Sequence, residues 1–298
     1  NNSKLMNIYD CFMYFDEDLI LDLRLNLLNK YVTKFVIVES CYTHSGKKRN
    51  FTFDIKKYLK FKEKIVYIPV DTLPKSIEEI KISDSENNKN SKILNNALKR
   101  ENFQRNQIGL GLKDCNEHDL IIVSDVDEIP NLENFSHKGK ISIFYQKMFY
   151  YKFNLKQEFF IHIGSRACKK KKLQSPQWLR NIKPKLYNFL RLDVYFSKKK
   201  YFGLNFITNG GWHFTSLKSP ESIHFKLSNY LHHLEYEESK IGIRDIENLI
   251  KDKKVLYDQK ADKKQDKWNS SISLIKVDED ELPTYLLENK KKYLDFFD

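Results

Sequence analysis

A chain of 298 residues with 41% hydrophobic content can bury a full core, as one large domain or as one domain with an appendage, which excludes a disordered or fibrous polymer. The 52 Lys and Arg against 40 Asp and Glu give a formal charge of +12, which favours an anionic partner: a nucleotide-linked substrate, nucleic acid or an acidic membrane face. Cys11, Cys41, Cys115 and Cys168 lie far apart without CXXC spacing, so neither a zinc site nor a disulfide scaffold is expected.

Ile8 to Phe15 reads as a first strand running into an acidic turn, Asp16 to Asp18, that caps a helix. In that helix Ile20, Leu23, Leu27 and Tyr31 recur at helical spacing, with Leu28 beside them, as one apolar stripe. Lys34 to Glu39 is a second strand and Lys64 to Val70 a third, and strands alternating with helices predict a parallel sheet of nucleotide-binding type. Residues 78 to 92 lack periodicity and read as a mobile surface loop. A long helix follows, from about Ser91 to Leu112, with Arg100, Gln104 and Gln107 on one face and Glu101 paired to Arg105 at i,i+4 on another. Its polar face either points at what comes next or is solvated.

What comes next is the stretch around which the chain is organised, Asp119 to Pro130, DLIIVSDVDEIP. Leu120 to Val123 form a short apolar run of the kind buried on both faces of a parallel sheet, and the run ends in Ser124, Asp125, Val126, Asp127 and Glu128. A central strand therefore delivers carboxylates to its C-terminal edge, where ligands bind in open α/β sheets. Asp-X-Asp at a strand end suits a hard divalent cation, because both carboxylates can approach one ion while Val126 packs away. An isolated pair of this kind can equally be a helix cap or a solvated loop, but Pro130 fixes the backbone after Ile129 and makes the acidic turn a constrained one.

Ile141 to Phe153 is aromatic and β-rich, and predicts antiparallel strands after that edge. Residues 164 to 184 read as loop-rich, with Trp178 a candidate for stacking on a sugar or base. The runs Lys169 to Lys172 and Lys198 to Lys200 read as solvated loops, since no nucleic-acid-binding motif accompanies them. In Asn209 to Thr215, NGGWHFT, Gly210 and Gly211 permit a tight turn or a close approach to a ligand, and His213 is either structural or a ligand. Pro220 opens a helix at its first turn. The cluster His232 to Glu238, a helix from Arg244 to Lys251, an exposed connection from Lys251 to Lys267 and an amphipathic helix from Tyr285 to Phe297 then predict a helical extension over residues 217–298, packed on a catalytic domain of residues 1–216.

VSDVDEIP after a buried strand, the upstream RENFQRN, DLILDLRLNLL followed by FVIVES, then GGWHF, PESIHFKL and LPTYLLENKKKY together resemble glycosyltransferase family 17, the family of β-1,4-mannosyl-glycoprotein 4-β-N-acetylglucosaminyltransferases. The resemblance runs from about Ile8 to Phe297 and is weakest from Phe153 to Phe206. It implies a GT-A type α/β fold, with a mostly parallel sheet and helices on both faces, and a UDP-sugar donor, UDP-GlcNAc by precedent. It further implies a divalent cation, Mn2+ or Mg2+, inversion at the anomeric carbon, and a glycan or glycoconjugate acceptor. Asp125 and Asp127 match the family's DXD. With that context the chemistry assigns Asp125, Asp127 and His213 to the metal, Arg100 and Arg105 to the diphosphate, with Gln104 on the same helix, and Asp10, Glu39 and Ser40 to uridine or ribose. Glu235 is the first candidate for general base, Glu158 the second.

No apolar run reaches the length of a membrane span and no signal-peptide core is present, which predicts a soluble, cytoplasmic chain. The chain does not begin with Met, so an upstream targeting segment stays open. The competing reading is a basic nucleic-acid-binding or nuclease-like protein that uses the acidic cluster for a metal.

Overall fold

The computed structural model of the protein describes residues 6–259, 268 and 271–298. The first half runs β1 (Ile8–Tyr14), α1 (Asp18–Leu28), β2 (Lys34–Ser40), β3 (Ile65–Val70), α2 (Glu86–Asn106), β4 (Leu120–Asp125), β5 (Glu128–Pro130) and β6 (Ile141–Tyr150). The second half continues β7 (Leu155–Lys169), α3 (Pro176–Asn181), α4 (Leu192–Tyr195), β8 (Leu204–Ile207), β9 (Gly211–Thr215), α5 (Pro220–Leu227), α6 (His233–Ser239), α7 (Ile243–Lys251), β10 (Leu274–Lys276) and α8 (Thr284–Glu288). Among the described residues one sheet of ten strands carries the order β3-β2-β1-β4-β7-β6-β9-β5, with β10 added on β7 and β8 on β6.

The sheet is mixed, which corrects the expectation of a mostly parallel one. β3, β2, β1 and β4 are parallel neighbours. Beyond β4 the direction reverses: β7 runs antiparallel to β4 and to β6, β10 pairs antiparallel with β7, and β5 with β9, while β8 and β9 lie parallel to β6. The aromatic segment after the acidic turn, expected as antiparallel, therefore has partners of both directions.

The apolar runs become strands because both faces of the parallel half are covered. Phe12, Phe35, Ile37, Leu120 and Ile122 pack on the side of α1, whose Leu21, Leu23 and Leu25 are fully buried. Their alternates Cys11, Val36, Val38, Ile121 and Val123 face Ile108 and Leu112, which follow α2 in a 3-10 turn over Gln107–Leu112. Each fully buried Leu or Ile contributes roughly 1.5 to 3 kcal/mol of transfer free energy. α2 starts earlier than its apolar pattern suggests, at Glu86, because the Ser85 side chain accepts a hydrogen bond from the Asn88 amide. Of the segment expected as a loop, residues 78 to 85 are loop and the rest, from Glu86 on, is the start of this helix.

The described C-terminal residues are mostly helical, but they also return one strand, β10, to the sheet. Their helices are short: α5, α6 and α7 pack Ile223, Leu227, Tyr236 and Ile246 on Met148, Tyr150 and Leu155 of the antiparallel half. β10 enters the sheet, and the amphipathic tail is α8 followed by 3-10 turns over Lys290–Phe296 that pack Leu286 and Tyr293 into the core with α1. Of the connection expected from Lys251 to Lys267, residues 260–267 lie outside the described residues. Among the described residues no helix is long and apolar enough to cross a membrane.

Candidate active site

The chain runs β1, β2, β3 to one side and then crosses over to place β4 on the other side of β1, so the strand order switches between β1 and β4. The carboxyl ends of strands flanking such a switch leave a crevice. A cavity of about 280 Å³ lies there, lined by Tyr14 of β1, Ser40 of β2 and Asp125 of β4, and closed from the other side by residues of β9, α5 and the segment before α6.

The acidic turn between β4 and β5 is held from beneath by Arg24. This side chain is fully buried on α1 and binds both carboxylate oxygens of Asp10, at 2.7 and 2.6 Å. Its Nη1 donates to the carbonyls of Asp125, Val126 and Glu128 at 3.2, 3.1 and 2.6 Å. Glu128 closes the turn from above. Its Oε2 accepts from the Asp125 amide at 2.9 Å, and the carboxylate takes two hydrogen bonds from Arg180 of α3, at 2.7 and 2.8 Å. His162 Nε2 lies 2.9 Å from Oε1. Burial alone would raise the Glu128 pKa, yet Arg180 and His162 hold it well below the usual carboxylate range.

β9 delivers His213. Glu128 is its register partner across the β5–β9 ladder, and the Phe214 amide donates to the Asp127 carbonyl at 3.0 Å. Gly211 makes this docking possible: its φ is +113°, and a Cβ there would stand 2.1 Å from the Ile129 carbonyl oxygen. The glycines serve a close approach between strands. His213 Nε2 consequently lies 3.4 Å from Asp127 Oδ1, and His213 Nδ1 is buried without a hydrogen-bond partner among the described residues.

Asp127 also faces Lys226 of α5, whose Nζ is 3.8 Å from Oδ2 and 3.1 Å from Oε1 of Glu17. Lys218 reaches Asp16 and, at 4.0 Å, Glu17. Burial pushes the Asp127 carboxyl up, but His213 and Lys226 outweigh it and hold the group ionised far below its ordinary range. In return burial, which lowers the pKa of His213 and of Lys226, is outweighed by their carboxylate neighbours, and both are raised. Asp125 points the other way, to Arg105 Nη2 at 3.1 Å and Arg180 Nη2 at 3.2 Å.

The structure therefore brings together Asp125, Asp127, His213, Gln104, Arg105 and Ser40 around one cavity. Gln104 donates to the Val38 carbonyl at 3.2 Å, and Arg105 also binds Glu101 at 2.8 Å. Other candidates go elsewhere. Asp10 is the buried partner of Arg24. Glu39 is fully buried and accepts from the Thr52 and Phe53 amides and the Tyr67 hydroxyl, so it anchors the loop after β2 instead of meeting a nucleoside. Arg100 donates to the His44 carbonyl at 3.0 Å and does not line the cavity. Glu158 is exposed on β7, and Glu235 of α6 lies 3.1 Å from His232; neither lines the cavity. Trp178 donates to the Lys198 carbonyl and the Tyr201 hydroxyl, both at 3.0 Å.

Sequence reasoning missed Glu17, Lys218, Lys226, Arg180 and Arg24. Arg24 left a signal, a cation inside the apolar-rich run LILDLRLNLL, and Glu17 lies in the acidic turn Asp16 to Asp18. Among the described residues no three His, Cys, Asp or Glu side chains form one cation-binding group, because Asp125 diverges from Asp127 and His213. No curated protein matches the chain. Nothing in the comparisons favours the nucleic-acid reading. Residues 1–141, which hold the parallel strands and the acidic turn, match the family model of glycosyltransferase family 17.

Proposed function

We propose that the protein is a metal-dependent, inverting glycosyltransferase that moves a sugar, GlcNAc by family precedent, from a UDP-sugar to a hydroxyl of a glycan or glycoconjugate, on a GT-A type scaffold. One observation carries the reading: Asp127, His213 and Lys226 converge in a cavity at the switch point between the parallel strands β1 and β4 of the mixed sheet. Two anionic oxygens of Asp127, an imidazole and an ammonium in one crevice suit a ligand that is itself anionic and cation-bound.

The donor set fits a divalent ion that takes few protein ligands. Asp127 and His213 face each other, and His213 retains a buried nitrogen without a partner among the described residues, so these two residues would hold Mn2+ or Mg2+. Asp125, bonded to Arg105 and Arg180, would act through water. The bound ion supplies charge stabilisation for the nucleoside diphosphate as it departs.

The chain's own residues do the rest. Lys226 and Lys218 stand ready to take phosphate oxygens in exchange for Glu17 and Asp16, and Arg105 adds a fixed guanidinium at the same wall. Arg24, Glu128 and Arg180 keep the turn's geometry while charge develops above it. Ser40 at the end of β2 is assigned to the nucleoside. Glu235 stands outside the cavity, on the helix that follows the lining residues Tyr230 and Leu231, and would take the acceptor proton at that rim. A panel of UDP-sugars with manganese, scored by UDP release, tests the proposal. One donor should be cleaved well above the others in a manganese-dependent way, and no release from any of them would overturn it.

A further inference from the structure

Between α3 and β8 the chain builds a surface the cavity does not use. Residues 183–202 read KPKLYNFLRLDVYFSKKKYF, with Lys183, Lys185, Arg191, Lys198, Lys199 and Lys200 against one acid, Asp193. The base of this segment is pinned. The Lys183 amide donates to the Lys199 carbonyl at 2.7 Å, Trp178 holds the Lys198 carbonyl and Tyr201, and Val194 is buried. Asp193 is fully engaged by Arg191 at 2.7 Å and Lys200 at 2.6 Å. Lys183, Lys185, Lys198 and Lys199 have no carboxylate partner among the described residues.

The outer side is apolar. Leu186, Phe189, Leu190, Leu192, Tyr195 and Phe196 are 63 to 88% exposed. Six large apolar side chains held outward on one pinned loop far exceed the single scattered residues of an ordinary surface. Interleaved with unpaired lysines, they match the two requirements of an interfacial anchor: apolar groups that enter the acyl boundary, and cations that remain at anionic headgroups.

We infer that this loop is a peripheral membrane anchor that docks the protein on an anionic lipid surface. A second copy of the chain fits less well, because two faces each carrying these cations would repel, whereas an anionic bilayer complements both the charge and the protruding rings. The inference does not rest on the donor chemistry of the cavity.

Co-sedimentation of the full chain with vesicles tests it. The protein should partition onto phosphatidylcholine vesicles containing phosphatidylglycerol, weakly onto phosphatidylcholine alone, and less as salt rises. Lys198→Ala and Lys199→Ala should each weaken partitioning roughly five-fold. Phe189→Ser with Phe196→Ser should abolish it while the thermal unfolding curve stays unchanged. Absence of binding to both vesicle types would overturn the inference, as would equal binding to both. So would a phenylalanine pair that removes self-association in sedimentation velocity and leaves vesicle binding intact.

Discussion

Replacing Arg24 with methionine removes a side chain that ties the first strand to the acidic turn. The guanidinium and the Asp10 carboxylate are both fully buried, so Arg24→Met leaves an unpaired charge in the core together with the freed carbonyls of Asp125 and Val126, while the Glu128 carbonyl keeps the Ser165 hydroxyl. Breaking a buried pair from one side costs about 3 to 5 kcal/mol, and each buried carbonyl left without a donor adds up to about 1 to 3 kcal/mol where the turn cannot relax toward water. A loss of about 4 kcal/mol is therefore the lower expectation, against a total of about 5 to 15 kcal/mol for a typical domain. Urea unfolding followed by far-UV circular dichroism should show the midpoint lowered by about 1 to 2 M. The double change Arg24→Met with Asp10→Leu should recover part of the stability, since no isolated charge remains, yet transfer activity should stay low because the turn has lost its tether. A single mutant within about 1 kcal/mol of wild type, or a double mutant no more stable than the single, would refute the reasoning.

Glu17 gives a pH prediction. Burial pushes its carboxyl up, but Lys226, Lys218 and the Phe15 amide pull it down to about 2 from an ordinary value of 4.5. A depressed carboxyl contributes stability that is present above its unfolded value, so that contribution should fade as pH drops from about 4.5 towards 2. Glu17→Gln should flatten this acid limb and lower stability at neutral pH by about 3 kcal/mol at most, and identical limbs for the two proteins in urea titrations would contradict the assignment. Lys226→Met removes a charge-assisted contact to the donor diphosphate worth roughly 1.5 to 3 kcal/mol, so KM for the UDP-sugar should rise about ten- to a hundred-fold in steady-state kinetics. An unchanged KM would remove Lys226 from the donor site.

The strands of the parallel half were legible because β1, β2 and β4 are apolar runs buried on both faces, and the half-buried edge strand β3 is also an apolar run. Expected at Ile8 to Phe15, Lys34 to Glu39, Lys64 to Val70 and from Leu120, they stand at Ile8–Tyr14, Lys34–Ser40, Ile65–Val70 and Leu120–Asp125. The direction of the later strands was not legible, since β6 has the same aromatic pattern whether its neighbour runs up or down. Asp10 and Glu39 show a limit of a different kind. A carboxylate in or at the end of a strand beside a binding edge looks the same in sequence whether it meets a ligand or a buried arginine and a set of loop amides. Lys218 and Lys226 come from a segment about 90 residues beyond the acidic turn, and only the parallel docking of β9 on β6 carries them to it. Gly211 marked the right place for a reason sequence left open, the close passage of β9 along β5.

Calorimetric titration of the full chain with UDP, with and without manganese and repeated on Asp127→Asn, addresses the cation grip on a diphosphate most directly. Wild type should bind UDP at least about ten-fold more tightly with manganese, and the substituted protein should show no such gain. UDP affinity that ignores both the ion and the substitution would contradict the account.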